Sequence, residues 1–179
     1  MSRTALIAGV TGIVGNNLAQ QLLSNGWEVH GLARHPSADT RGINFLAADL
    51  LDPASLRSAV SMLKPSHVFI TTWLRQPTEA ENIRVNSAMV RNLLEAVSLC
   101  QSVRHVALVT GLKHYLGPFE SYGKGALPAT PFREEQPRLA IENFYYAQED
   151  EVFAAAARHH FGWSVHRPHT IIATLSATL

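Results

Sequence analysis

The sequence predicts an α/β protein in which helices cover both faces of a doubly wound parallel sheet. Short apolar runs rich in β-branched residues alternate along the chain with amphipathic stretches of helical period, which is typical of strand–helix–strand units. The chain has 179 residues, which corresponds to one domain with a sizeable core. The third observation is a glycine-rich segment between the first strand and the first helix, a feature that many doubly wound sheets carry.

The first strand is predicted at Thr4 to Val10, because this run is short, apolar and partly β-branched. The first helix is predicted from Ile13 to the Asn25-Gly26 pair, since glycine commonly ends a helix. Its apolar residues recur on one stripe at Val14, Leu18 and Leu22. Together these elements begin a strand–helix–strand unit.

Three glycines spaced G-x-x-G-x-x-G occupy the turn between this strand and this helix. Without side chains, such a turn lets the backbone approach a pyrophosphate, and the helix N-terminus offers free N–H groups and a positive dipole end. This context favours dinucleotide binding on a Rossmann-type sheet, and a merely structural turn stays the alternative. The predicted cofactor-binding residues of this turn are Gly9, Thr11, Gly12, Ile13, Val14 and Gly15.

Five further strands follow from short apolar runs along the rest of the chain. They are predicted at Trp27 to Arg34, Ile43 to Leu50, Ser66 to Trp73, His105 to Gly111 and Trp163 to Ile172. A helix is predicted to begin at Asp52-Pro53, where an N-cap aspartate precedes a proline at the first helical position. Two longer helices are predicted at Glu79 to Gln101, where apolar residues recur every four positions, and at Ile141 to Phe161.

The segment 112–140 interrupts this alternation. It is rich in proline, glycine and aromatic residues and shows neither a helical nor a strand period. Structureless loops of this length are uncommon in compact domains and are usually binding loops or lids. Because the segment leaves the carboxyl end of the fifth strand, where doubly wound sheets bind ligands, we expect a long active-site loop that closes over the ligand.

The end of the second strand indicates which dinucleotide is bound. NAD sites usually place an acidic residue there to bind the ribose 2′-hydroxyl, whereas this strand ends without an acid, at Arg34. Arg34 can pair with a 2′-phosphate, which favours NADP(H), and an exposed loop arginine is the alternative. Asp49 is expected to accept a hydrogen bond from the adenine amino group, or else to cap a turn, and Leu50 to contact the ring.

Further cofactor contacts are predicted near the carboxyl ends of three later strands. They are Thr71, Thr72, Trp73, Thr110, Pro168 and Ile171. Trp73 either lines the nicotinamide or substrate pocket or simply packs. The backbone that begins at Pro168 is expected to hold the carboxamide of the cofactor.

Composition and charge exclude several classes of partner. A net charge of +1 with 16% charged residues gives no electrostatic basis for binding nucleic acid or an acidic membrane. No run approaches the roughly 20 apolar residues of a membrane span, and no signal peptide is expected. The single cysteine, Cys100, predicts a packing role and is typical of a reducing compartment. We expect no metal site and a cytoplasmic protein, and we leave a homodimer open.

The catalytic residues do not follow the usual Tyr-x-x-x-Lys pattern, in which a lysine one helical turn away lowers the pKa of the tyrosine. Tyr145 and Tyr146 are followed four positions later by Glu149 and Asp150, which we interpret as a solvated helix face or an ion pair. A hydride-transfer site still needs an oxyanion holder and a cation beside the nicotinamide. Lys113, just past the fifth strand, is the obvious substitute for the missing lysine.

Two long motifs carry a resemblance to a known family. The segment Val109 to Glu120 (V-T-G-L-K-H-Y-L-G-P-F-E) and the segment Asn143 to Asp150 (N-F-Y-Y-A-Q-E-D) resemble signatures of the progesterone 5β-reductase/iridoid synthase-like enzymes. These are atypical extended short-chain dehydrogenase/reductases that reduce enones. Gly9 to Gly15, Phe69 to Trp73 and Ser164 to Pro168 match further blocks, so the resemblance covers the chain to about Ile172.

The resemblance implies a catalytic pair and a reaction. Carried over by position, Lys113 and Tyr145 are the catalytic residues, whereas Tyr146 is a packing neighbour. The implied reaction is 1,4-reduction of the activated C=C of a small enone or enal by NADPH. In it the tyrosine hydroxyl, tuned by the lysine, holds the developing enolate oxygen.

The family continues beyond the sixth strand into a smaller substrate-binding region, which is missing or truncated here. We therefore assign residues 1–172 to an NADP-binding domain with its loop at 112–140, and 173–179 to the start of an incomplete C-terminal region. Two alternative functions stay open. One is an NAD(P)-dependent extended dehydrogenase or epimerase acting on a ketone, an alcohol or a nucleotide sugar, and the other is a non-catalytic NADP-binding sensor.

Overall fold

The computed structural model describes residues 3–35, 41–118, 124 and 128–172. Over these residues the chain forms six strands and five helices. The strands are β1 (Thr4–Ala8), β2 (Glu28–Ala33), β3 (Asn44–Ala47), β4 (His67–Ile70), β5 (His105–Val109) and β6 (Gly162–His166). The helices are α1 (Ile13–Ser24), α2 (Pro53–Val60), α3 (Glu79–Ser98), α4 (Lys113–Leu116) and α5 (Phe144–His159). In the described part of the chain, β3 follows β2 and α5 follows α4 without an intervening element. The predicted segment 173–179 lies outside the described residues.

All six strands run parallel in the order β3-β2-β1-β4-β5-β6. The strand order reverses between β1 and β4, so the crevice beyond their carboxyl ends is the position where sheets of this topology bind ligands. The predicted doubly wound Rossmann-type sheet is therefore confirmed.

Alternate residues of β1 face two separate cores. Leu6 and Ala8 belong to the larger cluster, which includes buried residues of α2, α3 and α5. Ile7 belongs to the smaller cluster, where Ala19 of α1 packs. Both faces of the first strand are thus buried, which explains why its sequence is continuously apolar rather than alternating.

The strands are shorter at their carboxyl ends than their apolar runs suggest. β4 ends at Ile70 instead of Trp73, and β6 at His166 instead of Ile172. Beyond β4, Thr71 still donates its N–H to the Ala8 carbonyl oxygen, whereas Thr72 and Trp73 line the crevice instead of pairing with a neighbouring strand. The predicted carboxyl ends of these strands were therefore wrong, although every predicted strand exists.

The sequence predicts a segment 112–140 without regular structure, but the structure contains a short helix there. Lys113–Leu116 form a single helical turn, α4, which ends at Gly117 with φ +79°. Four residues are too few to show a helical period, so this turn could not be predicted from the pattern of apolar residues. Residues 119–123 and 125–127 of the predicted loop lie outside the described residues.

Candidate active site

The glycine turn brings the start of α1 against the end of β1. Gly9 has φ +88°, a conformation that favours glycine. A Cβ atom on Gly15 would lie 2.2 Å from the carbonyl oxygen of Gly9, so only glycine permits this approach. At Gly12 a Cβ atom would lie 3.3 Å from the same oxygen. Gly15 therefore sets the packing of the turn, whereas a side chain at Gly12 would make a tight contact that a shift of a few tenths of an ångström relieves.

The start of α1 has the properties of an anion site. Its N-cap, Gly12, provides no side-chain hydrogen bond, and its first turn contains no acidic residue. The first N–H groups of a helix have no partner within the helix, and the dipole adds partial positive charge there. This arrangement fits a pyrophosphate group.

A cleft of about 390 Å³ opens beside this turn at the carboxyl ends of β1, β2, β3 and β4. Seven of the predicted cofactor-binding residues line it, namely Gly9, Thr11, Arg34, Asp49, Leu50, Thr72 and Trp73. Residues that the sequence analysis missed also line it, among them His35, Leu32 and Met89. Its position and lining fit the adenosine part of a dinucleotide.

Charge in this cleft is carried by few side chains. Arg34 and His35 are exposed at one part of the wall, directly after β2. Among the described lining residues, Asp49 is the only carboxylate, and its Oδ1 accepts a hydrogen bond from the Leu51 N–H at 2.9 Å. Asp49 therefore caps a turn, as the alternative interpretation held, while it still borders the cleft.

Two other predicted contacts point into the protein rather than into the cleft. The Thr71 hydroxyl donates to the carbonyl oxygen of Ala8 at 2.9 Å and so ties the loop after β4 to β1. Thr110 is buried, and its N–H donates to the His166 carbonyl oxygen at 2.8 Å, which joins β5 to β6. These side chains stabilise the strand ends on which the site is built.

The remaining predicted residues lie at the two margins of the site. Ile13 and Val14 belong to the first turn of α1, and Ile13 is largely exposed. The Pro168 carbonyl oxygen would lie 3.6 Å from a Cβ atom on Gly111, so the segment after β6 passes beside the end of β5. Ile171 is exposed in the same segment.

Lys113 is buried at the first position of α4, with 1% of its surface exposed. Its ammonium donates to Oε2 of Glu79, the first residue of α3, at 2.9 Å. The ammonium also lies 4.5 Å from the ring centroid of Phe144. A buried lysine needs such a counter-charge, because desolvation disfavours the ammonium form.

Tyr145 lies near the same strand end as Lys113. Its hydroxyl oxygen would be 3.6 Å from a Cβ atom on Gly111, two residues before Lys113. The Asn143 side chain, which caps α5, accepts a hydrogen bond from the Tyr145 N–H at 3.0 Å and donates to the Lys113 carbonyl oxygen at 2.8 Å. One asparagine thus joins the backbones of both predicted catalytic residues.

Tyr146, the second tyrosine of the pair, is occupied by structural contacts. Its hydroxyl donates to the His114 carbonyl oxygen at 2.6 Å and accepts from the Leu139 N–H at 3.0 Å. The hydroxyl therefore joins α5 to α4 and to the last residues of the predicted loop. This geometry agrees with the expectation that Tyr146 is a packing neighbour.

A buried ion cluster lies behind the site, and the sequence analysis missed it. Glu149 is 1% exposed, and its carboxylate accepts from Arg138 at 2.9 Å and from Arg167 at 3.2 Å. His114 lies 3.9 Å from the same carboxylate, and burial lowers the pKa of its imidazole. Glu149 is therefore not part of a solvated helix face but ion-paired, and Asp150 is ion-paired as well, since its carboxylate accepts from Arg138 at 2.7 Å. Glu149 fixes segments from three parts of the chain.

Two negative observations apply to the residues that the structure describes. Nowhere in 3–35, 41–118, 124 and 128–172 do three or more His, Cys, Asp or Glu side chains form an arrangement that could hold a metal ion. Within the same residues, none of the helices combines the length and the apolar character that crossing a membrane requires.

Comparison with known proteins gives matches over most of the chain. A sequence model described as the NAD dependent epimerase/dehydratase family matches residues 5–140. The chain is 45% identical to a 3-oxo-Δ(4,5)-steroid 5β-reductase from Arabidopsis thaliana and 42% identical to an (S)-8-oxocitronellyl enol synthase from Nepeta racemosa. These relatives confirm the resemblance that the two motifs indicated. Each alignment covers 93% of this chain and 46% of the relative, so the chain spans about half the length of the curated relatives it matches.

Solved structures with lower identity share the fold. A UDP-glucose 4-epimerase from Brucella ovis in complex with NAD superposes with a TM-score of 0.75 and 18% identity, over 94% of this chain and 52% of that chain. The enzyme WbmH from Bordetella bronchiseptica in complex with NAD⁺ gives a TM-score of 0.67 and 17% identity, over 93% of this chain and 56% of that chain. At these identities the similarity concerns the fold alone.

Proposed function

Because the chain belongs to the NAD-dependent epimerase/dehydratase family, we propose that it forms the cofactor-binding part of an NADPH-dependent reductase of enones and enals. The observation that carries this proposal is the placement of Lys113 and Tyr145 at the carboxyl end of β5, joined by Asn143. A steroid 5β-reductase and an enol synthase are 45% and 42% identical to this chain over 93% of its length, which supports the same reaction class.

The residues of the cleft fit a dinucleotide. The glycine turn and the uncapped start of α1 suit the pyrophosphate, and the cleft walls suit the adenosine part. The two enzymes of similar fold hold NAD, whereas Arg34 here stands where an acid would select that cofactor. We therefore propose NADP(H), with Arg34 pairing with the 2′-phosphate.

When bound, NADPH would supply the hydride that adds to the β-carbon of the enone, and a proton completes the saturated product at the α-carbon. Negative charge develops on the carbonyl oxygen of the substrate during this addition. The Tyr145 hydroxyl would donate a hydrogen bond to that oxygen. Lys113 would supply positive charge close to the phenol, which would make its O–H a stronger hydrogen-bond donor to the developing enolate oxygen.

The experiment compares NADPH oxidation by the purified protein with a small cyclic enone and with the corresponding saturated ketone. An enone reductase consumes only the enone, whereas a ketone or alcohol enzyme acts on the ketone. NADPH binding without turnover on either compound would contradict the proposal and favour an NADP-binding sensor.

The catalytic pair is tested with Tyr145→Phe, Lys113→Met and the double variant. Loss of one oxyanion donor lowers kcat by about 10²- to 10³-fold, with NADPH affinity unchanged. Because residues that act together are not additive, the double variant should be little slower than the poorer single variant. Tyr146→Phe is the matched control and should stay active. An active Tyr145→Phe with an inactive Tyr146→Phe would show that the residue assignment is wrong.

A further inference from the structure

Glu79 is the carboxylate that connects the predicted catalytic residues, and neither the motifs nor the sequence pattern drew attention to it. Its Oε2 accepts from the Lys113 ammonium at 2.9 Å. Its Oε1 accepts at 2.8 Å from the N–H of Phe144, the first residue of α5. Helix α5 carries Tyr145 at its second position. One side chain thus contacts both the lysine and the end of the tyrosine helix.

The side chain of Glu79 is itself held in place. It belongs to the first turn of α3, which Thr78 caps, and the Asn82 side chain donates to its Oε2 at 3.4 Å. An acidic residue at this position also interacts favourably with the helix dipole. The carboxylate is therefore anchored on a 20-residue helix that packs along α5. It can act as a rigid reference point for the groups that it binds.

We propose that Glu79 is a positioning residue that fixes the Lys113 ammonium and the Tyr145-bearing end of α5 relative to each other. This inference rests on the proposed function, because it assigns the lysine and the tyrosine to one reaction. Glu79 holds the Lys113 ammonium in one place within a buried site, since hydrogen bonds between charged groups are the stronger ones. Its second oxygen caps α5 and so limits the movement of the Tyr145 backbone.

Among the described residues, the hydrogen bonds that Glu79 accepts, apart from the one donated by Lys113, come from neutral groups. These groups are the Asn82 amide on α3 and the Phe144 N–H on α5. The second buried carboxylate, Glu149, is paired with Arg138 and Arg167. Glu79→Gln is therefore a specific change, because a glutamine removes the charge next to Lys113 while its carbonyl oxygen can still cap α5.

The first test does not need a substrate. The chain has three lysines, and Lys64 and Lys124 are exposed whereas Lys113 is buried. Reductive methylation with formaldehyde and a borane, followed by peptide mass spectrometry, measures the rate at each lysine. Lys113 should react much more slowly than the other two. In Glu79→Gln its rate should rise about tenfold, because a hydrogen bond to a charged group is lost, with the rates at Lys64 and Lys124 unchanged.

The second test uses enone reduction by the same variants. Glu79→Gln should lower kcat about tenfold with unchanged NADPH affinity, and Glu79→Asp, which keeps the charge, should recover most of kcat. Glu151, in the middle of α5, pairs with Arg91 of α3. Glu151→Gln removes this carboxylate and should leave both the Lys113 labelling rate and kcat unchanged.

Each outcome decides the inference. If Glu79→Gln leaves the Lys113 labelling rate at the wild-type value, Glu79 does not position the lysine. If Glu79→Gln and Glu79→Asp lower the melting temperature by the same amount and kcat by the same factor, the residue is merely structural and the inference is overturned. If labelling responds as expected but no variant, including wild type, reduces an enone, the contact is confirmed while the proposed function fails.

Discussion

Replacement of Gly15 by alanine tests whether the glycine turn sets the position of α1. The new Cβ atom would lie 2.2 Å from the Gly9 carbonyl oxygen and 2.8 Å from both the Gly9 carbonyl carbon and the Val10 Cα, all of them backbone atoms. Because backbone atoms cannot rotate away, α1 must retreat by roughly 1 Å to restore an ordinary contact distance. That retreat separates Ala19 from the smaller core cluster.

The expected magnitude follows from the cost of overpacking. Extra methyl groups in a packed interior usually cost about 1 to 3 kcal/mol, and the rigid neighbours of Gly15 place Gly15→Ala at the upper end, about 3 kcal/mol. The free energy of unfolding from urea titrations, followed by circular dichroism, measures this loss. NADPH affinity should fall as well, because the N-terminus of α1 moves away from the turn.

Gly12→Val is the matched control in the same turn. Gly12 has φ −81° and ψ 169°, a conformation that valine adopts readily, and the Cβ atom would be 3.3 Å from the nearest neighbour. This variant should fold within about 1 kcal/mol of wild type, while its side chain blocks the approach of a pyrophosphate. A Gly15→Ala protein with wild-type stability, or tight NADPH binding by a folded Gly12→Val protein, would refute the reasoning about this turn.

Three other predictions concern the cofactor, the structural tyrosine and pH. Arg34→Ala should weaken the binding of NADPH relative to that of NADH by about 1.5 to 3 kcal/mol, the value of a charge-assisted hydrogen bond. Fluorescence titration with both cofactors measures the ratio of the two dissociation constants, and a ratio equal to that of the wild type would contradict this role of Arg34. Tyr146→Phe leaves the His114 carbonyl and the Leu139 N–H without their partner and should lower the free energy of unfolding by about 1 to 3 kcal/mol, measured in urea. Since burial lowers the pKa of His114 from 6.5, the unfolded chain binds the proton more readily, so stability should decrease as the pH falls below about 6.5. Urea titrations between pH 7.5 and 5.5 should show a smaller decrease in His114→Gln.

The sheet could be predicted because its signal is periodic and long. The strands are short apolar runs because alternate residues enter the two cores, and each long helix repeats its apolar positions, so element type and order follow from pattern alone. The ends of the strands could not be predicted in the same way. Leu74 illustrates the reason, since its N–H and carbonyl group bind the Asn86 side chain at 2.7 and 2.9 Å instead of a neighbouring strand.

The candidate site was only partly accessible from the sequence. The glycine turn is a local signal, and Arg34 is recognised by its place after a strand. Tyr145 and Tyr146 are chemically identical in the sequence, and only the family resemblance distinguished them. The structure supplies the physical difference, because Tyr146 uses its hydroxyl for two buried backbone groups.

The buried carboxylates show what a one-dimensional pattern cannot reveal. Glu79 is 34 positions from Lys113, and its place at the start of a helix is fully explained by the helix dipole. Glu149 stands on a helix whose other acidic residues reach solvent, yet Arg138 and Arg167 approach it from separate segments. Charges that pair over such distances in the sequence leave no spacing that a reader can recognise.

The cleft beside the glycine turn and the Lys113–Tyr145 pair are built by different elements, and side-chain packing connects them. The cleft is formed by the ends of β1 to β4, whereas Lys113 and Tyr145 belong to α4 and α5. Trp73 lines the cleft and also stacks on Phe144, with ring centroids 5.2 Å apart. Phe144 is fully buried, lies 4.5 Å from the Lys113 ammonium and donates its N–H to Glu79. Trp73 therefore connects the cleft to the surroundings of the lysine, because its ring borders the cleft on one side and stacks on Phe144 on the other.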